Sequence, residues 1–199
     1  MEAEENAEKL LSIRKNTLLY LLQNPNYFGT IPDPGLNKIY KPVYNLRLKN
    51  YFEQLACVGY DPVTEKLNAL VIVKRALGYL GIPAHGGSRE YVRFYVDYTN
   101  SGNWVDEGVA SIGVYDHSFG ENLFYDVELK VNPKTKYTYN KNQELPKVRA
   151  ILSWNMMPPA NHPDWNFVWG DVQEASDEIA TRKVPVDTMT ELMAAIERS

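Results

Sequence analysis

The sequence predicts a mainly β protein: an antiparallel, immunoglobulin-like β-sandwich of about seven strands, with an N-terminal helix and a short C-terminal helix. Three observations predict it. Between Tyr51 and Val172, apolar residues recur with period two, the repeat of a strand that buries one face. Turn-forming clusters, such as Asp61-Pro62 and Thr99-Asn100-Ser101-Gly102-Asn103, separate the alternating runs. No helical period lies between one run and the next, as a parallel βαβ sheet would need.

Residues 1–24 read as an amphipathic helix. Ala3, Ala7, Leu10, Leu11, Leu18, Leu21 and Leu22 recur near helical spacing with charges between them. Asn24-Pro25 ends the run, because the residue before proline is pushed out of the α region. Residues 25–50 form an irregular connection rich in proline, glycine and asparagine.

The sandwich domain covers residues 51–174. Its first hairpin is YFEQLACVGY, the turn DPVTE and then KLNALVIVKR. Leu67, Ala69, Val71 and Val73 share one face of the second strand, and Leu70 and Ile72 the other. A strand apolar on both faces belongs at the centre of its sheet. Cys57 falls inside the first strand and is expected in the core, as free cysteine usually is.

After the loop GIPAHGGS, EYVRFYVDY points Val92, Phe94, Val96 and Tyr98 inward and Arg93, Tyr95 and Asp97 the other way. WVDEGVASIGVYDH turns Ala110, Ile112 and Val114 inward, with a bulge expected at Glu107-Gly108. LFYDVELKV places Leu123, Tyr125, Val127, Leu129 and Val131 on one face. KVRAILSW does the same with Val148, Ala150, Leu152 and Trp154, and NFVWGDV reads as the last strand. The stretch between, with its prolines and with Trp165 and Trp169, reads as a crossover whose indoles close an end of the sandwich.

Residues 175–186 read as a polar tether and residues 187–199 as a second amphipathic helix. Thr188 and Glu191 have the spacing of a capping box. Met189, Leu192, Met193 and Ile196 fall at i, i+3, i+4 and i+7, one face of a helix too short to stand alone. That stripe must dock, and the polar tether before it points to a partner-binding surface.

A chain of 199 residues with 44% hydrophobic content can bury a substantial core. Its net charge of −4 argues against a general electrostatic nucleic-acid surface. No apolar run approaches a membrane span, and the acidic N-terminus is unlike a secretory signal. A single cysteine leaves no intramolecular disulfide to make. These features together lead us to expect a cytoplasmic protein without nucleic-acid or membrane partners.

Candidate chemistry is sparse. His85, His117 and His162 lie in loops, near Asp116 and Asp164, but no pair has the short spacing of a helix or hairpin metal site. We therefore expect no metal, no cofactor and no catalytic residue. GIPAHGGS lacks the Lys-Ser/Thr ending of a phosphate loop, so its glycines read as positions of positive φ. Asp106-Glu107 and Asp177-Glu178 lie in stretches that look exposed, with nothing to raise a carboxylate's pKa. Trp165, Trp169 and Tyr115 are the aromatic residues that would stack a sugar or small ligand.

Four longer motifs carry a resemblance. NPNYFG from Asn24, EQLACVGY from Glu53, SREYVRFYVDY from Ser88, and PKVRAILSW followed by PPANHPDWNFVWG resemble a family of uncharacterised bacterial proteins. The resemblance spans most of Asn24 to Val172. It implies no activity and no catalytic residues, because the family has none assigned. Some of its members have cysteines in the loops matching Gly81–Ser88 and after His117. This chain has none there, so a shared metal or disulfide role for those loops is not implied.

The leading expectation is a non-enzymatic protein-interaction or assembly module of a bacterial cytosolic complex, meeting a protein partner or itself through the terminal helices. The alternatives are a carbohydrate- or small-ligand-binding sandwich, and a metal-dependent hydrolase using the loop histidines.

Overall fold

A computed structural model describes residues 7–16, 50–82, 84, 86–118, 120, 122–133, 145–165, 167 and 169–177. Residues 7–16 are helical and are called α1. Seven strands follow: β1 (Glu53–Asp61), β2 (Lys66–Val73), β3 (Ser88–Asp97), β4 (Val105–Val114), β5 (Leu123–Lys130), β6 (Lys147–Trp154) and β7 (Gly170–Ser176). All pair antiparallel, in a three-stranded sheet of order β1-β2-β5 and a four-stranded sheet of order β4-β3-β6-β7.

The two sheets face each other over one apolar core. Leu67, Ala69 and Val71 meet Val92, Phe94, Val96, Val148, Ala150 and Leu152 there. These are the residues that period-two alternation turns inward, so the sequence pattern and the packing agree. β2 lies at the centre of its sheet, as its two apolar faces require. The bulge in β4 is also present. Phe94 pairs with Gly108 and Tyr95 with Asp106, so Glu107 is the extra residue. Gly108 takes a φ of 127°, which a side chain would strain.

A second bulge, which period-two reasoning does not foresee, corrects the placement of Cys57. The β1–β2 register slips between Leu55 and Cys57, so Ala56 is inserted. Leu55 and Val58 still face the core, while Ala56 and Cys57 are exposed. One extra residue reverses the facing of the next, and the thiol leaves the core.

The outward face of β3 is a second departure. Arg93, Tyr95 and Asp97 are buried, although alternation sends them away from the core. Residues 155–165 fold back over the four-stranded sheet and cover Arg93 and Tyr95. Arg93 donates through Nε to the Pro158 carbonyl at 2.8 Å, and Tyr95 through its hydroxyl to the Pro159 carbonyl at 3.2 Å. Asp106 accepts from Arg93 at 2.8 Å and from the Asn161 amide at 2.6 Å. Asp97 is instead a turn-former. Burial pushes its carboxyl upward, but the amides of Gly102, Ser101 and Thr99 outweigh that and hold it below the usual range.

The crossover therefore lies on an outer face rather than at an end. Trp165 packs there, with Tyr95, Ile151 and Phe167. Trp169 alone of the two does close an end of the sandwich. The last strand begins at Gly170, later than NFVWGDV suggests.

β7 takes in the first two residues of the expected tether, Ala175 and Ser176. The tether from residue 178 on and the C-terminal helix, with Met189, Leu192, Met193 and Ile196, lie outside the described residues, as do most of 1–24, all but one residue of 25–50, and His85. No helix among the described residues is long and apolar enough to cross a membrane.

Candidate functional site

The end of the sandwich near Glu53 and Trp154 is closed by α1. Leu10 is buried, Leu11 and Ile13 are partly buried, and all three pack on Phe52, Val73, Tyr79, Val114, Trp154 and Trp169. Arg14 continues that face one turn beyond Leu10, and it is only 1% exposed. A charged side chain is almost never this buried without partners.

Its partners come from both sheets. Glu53, at the start of β1, and Glu90, near the start of β3, are each 0% exposed. Both occupy core-facing positions. Glu53 pairs across the ladder with Val73, and Glu90 with Ile112 on one side and Trp154 on the other. The guanidinium sits between them. Arg14 Nη1 lies 3.1 Å from Glu53 Oε1 and 2.8 Å from Oε2, whereas Nη2 is 3.7 Å from Glu90 Oε1. Nε donates to the Gly78 carbonyl at 2.9 Å.

Aromatic rings make the walls. The Arg14 Cζ lies 4.0 Å from the Trp154 ring centroid, 4.2 Å from Phe52, 5.1 Å from Tyr79 and 5.7 Å from Trp169. These are cation–π distances, and desolvation makes each contact stronger than it would be in water. Phe52 and Trp169 meet edge to face at 5.3 Å. The Tyr79 hydroxyl donates to the Phe52 carbonyl at 2.7 Å, which fixes one wall to another.

The loop that carries Gly78 and Tyr79 is held by Asp116. Its Oδ1 accepts from the amides of Gly78 and Tyr79 at 2.8 and 2.7 Å, and its Oδ2 from that of Gly81 at 2.7 Å. Gly78 has a φ of 119°, and a Cβ there would stand 2.8 Å from the Phe52 ring. Only glycine lets this loop approach so closely while presenting its carbonyl to Arg14.

The electrostatics follow from burial. Desolvation raises Glu90 well above the ordinary carboxyl value, the Glu53 charge adds to that, and Arg14 opposes it. Desolvation also raises Glu53, against the closer contact with Arg14. One cation facing two buried carboxylates is neutral when one proton is held. Glu90, with the longer contact, is where we place it. Burial, with Glu53 nearby, pushes the Tyr79 phenol far up as well, so it remains a donor.

Several polar atoms in this chamber make no hydrogen bond among the described residues: Glu90 Oε1 and Oε2, Arg14 Nη2, and the indole nitrogens of Trp154 and Trp169. Beside it lies a cavity of about 320 Å³, lined by Leu11, Arg14, Lys15, Leu77, Gly78, Leu80, Gly81, Asp116 and Trp154.

The residues singled out from the sequence fall elsewhere or apart. Trp169 is a wall of this chamber, Trp165 lies on the outer face of the four-stranded sheet, and Tyr115 is half-buried just after β4. The structure does not bring these three together. Asp116 holds the loop amides and Asp164 pairs with Arg149 at 2.6 Å, so both carboxylates set beside the histidines have other partners. His162 is exposed and His117 half-buried. Among the described residues, no group of three or more His, Cys, Asp and Glu is placed to hold a metal ion.

Arg14, Glu53 and Glu90 were not among the sequence-derived candidates, yet a signal exists for each. Arg14 follows Ala7 and Leu10 at i+7 and i+4, on the apolar stripe itself. Glu90 stands two before Val92, in phase with the inward residues of β3, and Glu53 two before Leu55. A charge in phase with a buried face signals a buried ion.

No family model matches the chain, and no curated protein or solved structure was found to be similar to it. The resemblance to a bacterial family rests on its motifs alone.

Proposed function

We propose that the chain is a non-enzymatic interaction or assembly module in which one end of a β-sandwich receives an amphipathic helix and holds it by an arginine. The observation that supports this most is the seat of Arg14, fully buried between the two sheets and 39 positions from Glu53 in the sequence. Helix-in-groove recognition works through such anchors, spaced along one helical face. Leu10 and Arg14 are one turn apart and enter the same cluster of rings. The partner in this reading is a protein, or a second copy of the chain, presenting a helix of the same kind.

The strand order supports reading the sandwich as immunoglobulin-like. Lettered in chain order, A-B-E faces D-C-F-G, the immunoglobulin arrangement with the fourth strand moved to the other sheet. A cytosolic setting belongs to the same proposal. What supports it is an exposed cysteine without a second one to pair with.

The test uses full-length protein carrying Arg14→Glu, which sets three acidic side chains against one another and disfavours its own helix. A synthetic peptide of residues 1–24 is titrated into it and followed by calorimetry. Saturable binding, weaker to wild type because the end is already filled, is expected. A folded variant that binds no peptide sinks the proposal.

A further inference from the structure

We infer that the chamber formed by Glu53, Glu90, Phe52, Tyr79, Trp154 and Trp169 is a recognition site for a guanidinium group, filled in cis by Arg14 and open to an alkylguanidinium ligand in its place. The inference deepens the helix-in-groove reading, since Arg14 is that helix's anchor, but the two can fail separately.

The shape of the chamber selects a planar cation. Trp154 and Phe52 lie at 4.0 and 4.2 Å from the guanidinium carbon, distances that suit a flat, weakly hydrated group. The acceptors lie in three directions: Glu53 for Nη1, the Gly78 carbonyl for Nε, and Glu90 on the side of Nη2. A guanidinium has donors along such directions in one plane. An ammonium is a point charge with no plane and a tighter hydration shell, so it satisfies this arrangement less well.

The chamber also holds more recognition capacity than Arg14 uses. Glu90 is completely buried, yet among the described residues neither of its oxygens accepts a hydrogen bond, and Arg14 Nη2 comes no closer than 3.7 Å. Two indole N–H groups in the same cluster are likewise without acceptors. A cluster kept only for structure tends to leave few buried polar atoms unmet, because each one costs stability. A site fitted to a group that reaches Glu90 more fully leaves such atoms when a tethered side chain stands in. The adjoining cavity, bounded by Arg14 and Trp154 and by the exposed Leu77 and Lys15, gives that group a way in.

A guanidinium can arrive as a small molecule or as an arginine of a polypeptide, and chemical rescue separates them. Full-length Arg14→Ala is melted with rising N-ethylguanidinium, which replaces the deleted atoms, and with ethylammonium at equal ionic strength. N-ethylguanidinium is expected to stabilise the variant saturably, raising its folding equilibrium constant about elevenfold at ten times Kd. Ethylammonium should give no such rise. Wild type and Arg14→Ala/Glu53→Gln should not respond to either. If Arg14→Ala does not fold alone, the same titration is read as recovery of the near-ultraviolet circular dichroism of its tryptophans.

A second arm adds peptides of residues 1–24 with arginine or lysine at position 14. Tighter binding of the arginine peptide to Arg14→Ala, without small-molecule rescue, supports guanidinium recognition with a polypeptide source. Equal binding of both peptides and no rescue overturns the inference and leaves the helix-in-groove reading standing. If neither peptide binds and neither cation rescues, both are overturned.

Discussion

One guanidinium and two carboxylates share the closed end of the sandwich, and the two carboxylates are not equivalent. Glu53 is hydrogen-bonded to Arg14, whereas Glu90 meets it only as an ion pair at 3.7 Å. Glu53→Gln leaves the Arg14 charge buried without its nearest counter-charge, which should cost about 3–5 kcal/mol. Glu90→Gln keeps the shape and removes a charge that burial disfavours, so stability at neutral pH should be unchanged or higher. Urea denaturation of the two variants checks this, and equal losses would mean that both carboxylates are ionised. The pH dependence has a definite sign. Folding raises Glu90 above its ordinary value of 4.5, so the folded state keeps that proton longer than the unfolded chain does. The associated stability is complete below about 4.5 and is lost as pH rises through the folded pKa. Glu90→Gln should flatten that decline. Carboxylates such as Asp61, lowered by the Thr64 hydroxyl and the Val63 amide, have the opposite slope, so the comparison must be variant against wild type.

Each secondary-structure element is legible in the sequence to the extent that its own period decides its environment. The apolar residues that alternate along β2, β3 and β6 turn inward and form the core. Trp154 ends that series, and Trp154→Ala should cost about 3–5 kcal/mol by equilibrium unfolding, as the removal of a large buried aromatic does. A change within about 0.5 kcal/mol, the scale of a surface substitution, would contradict its burial. The environment of other elements is set from far away in the chain. Arg93, Tyr95 and Asp97 have the polar alternation of a solvent face, yet residues 155–165 cover the first two through backbone carbonyls that no side-chain pattern announces. Ala56 displaces Cys57 because a single inserted residue breaks the phase on which the reading depends. The candidate site lies between these cases. Arg14, Glu53 and Glu90 are each in phase with a buried face, but nothing local says that α1 meets the ends of β1 and β3. The cover over β3 is testable as an element. Asp106 accepts from Arg93 and from the Asn161 amide, so Asp106→Ala should speed hydrogen exchange at the amides of residues 160–162 while leaving β3 itself protected. Unchanged exchange there would show that the crossover is held by its apolar contacts instead.

Across the whole molecule, β1 is tied to the rest at two places. At its start, Glu53 and Arg14 join it to α1 and, through Glu90, to the opposite sheet. Along its length it lies beside β7, and side-chain carboxylates take up two of its amides. Asp171 accepts from the Leu55 amide at 3.1 Å, and Asp177 from the Tyr60 amide at 2.6 Å. An edge strand whose amides are taken is a poor template for another chain, so this seam guards against association as well as joining the sheets. Glu53 and Tyr60 are seven residues apart, about 23 Å along a strand. The two ties share no described side chain, and distant sites add. Arg14→Ala and Asp177→Ala should therefore combine within about 0.5 kcal/mol of the sum of the single variants. Arg14→Ala and Trp154→Ala share a ring contact at 4.0 Å and should not add, because once the guanidinium is gone the indole has less to lose. Urea unfolding of the two double-mutant cycles measures both expectations on one scale. Strong coupling between Arg14 and Asp177 would mean that the strand responds as a single rigid unit, with the end chamber and the β7 seam closing together.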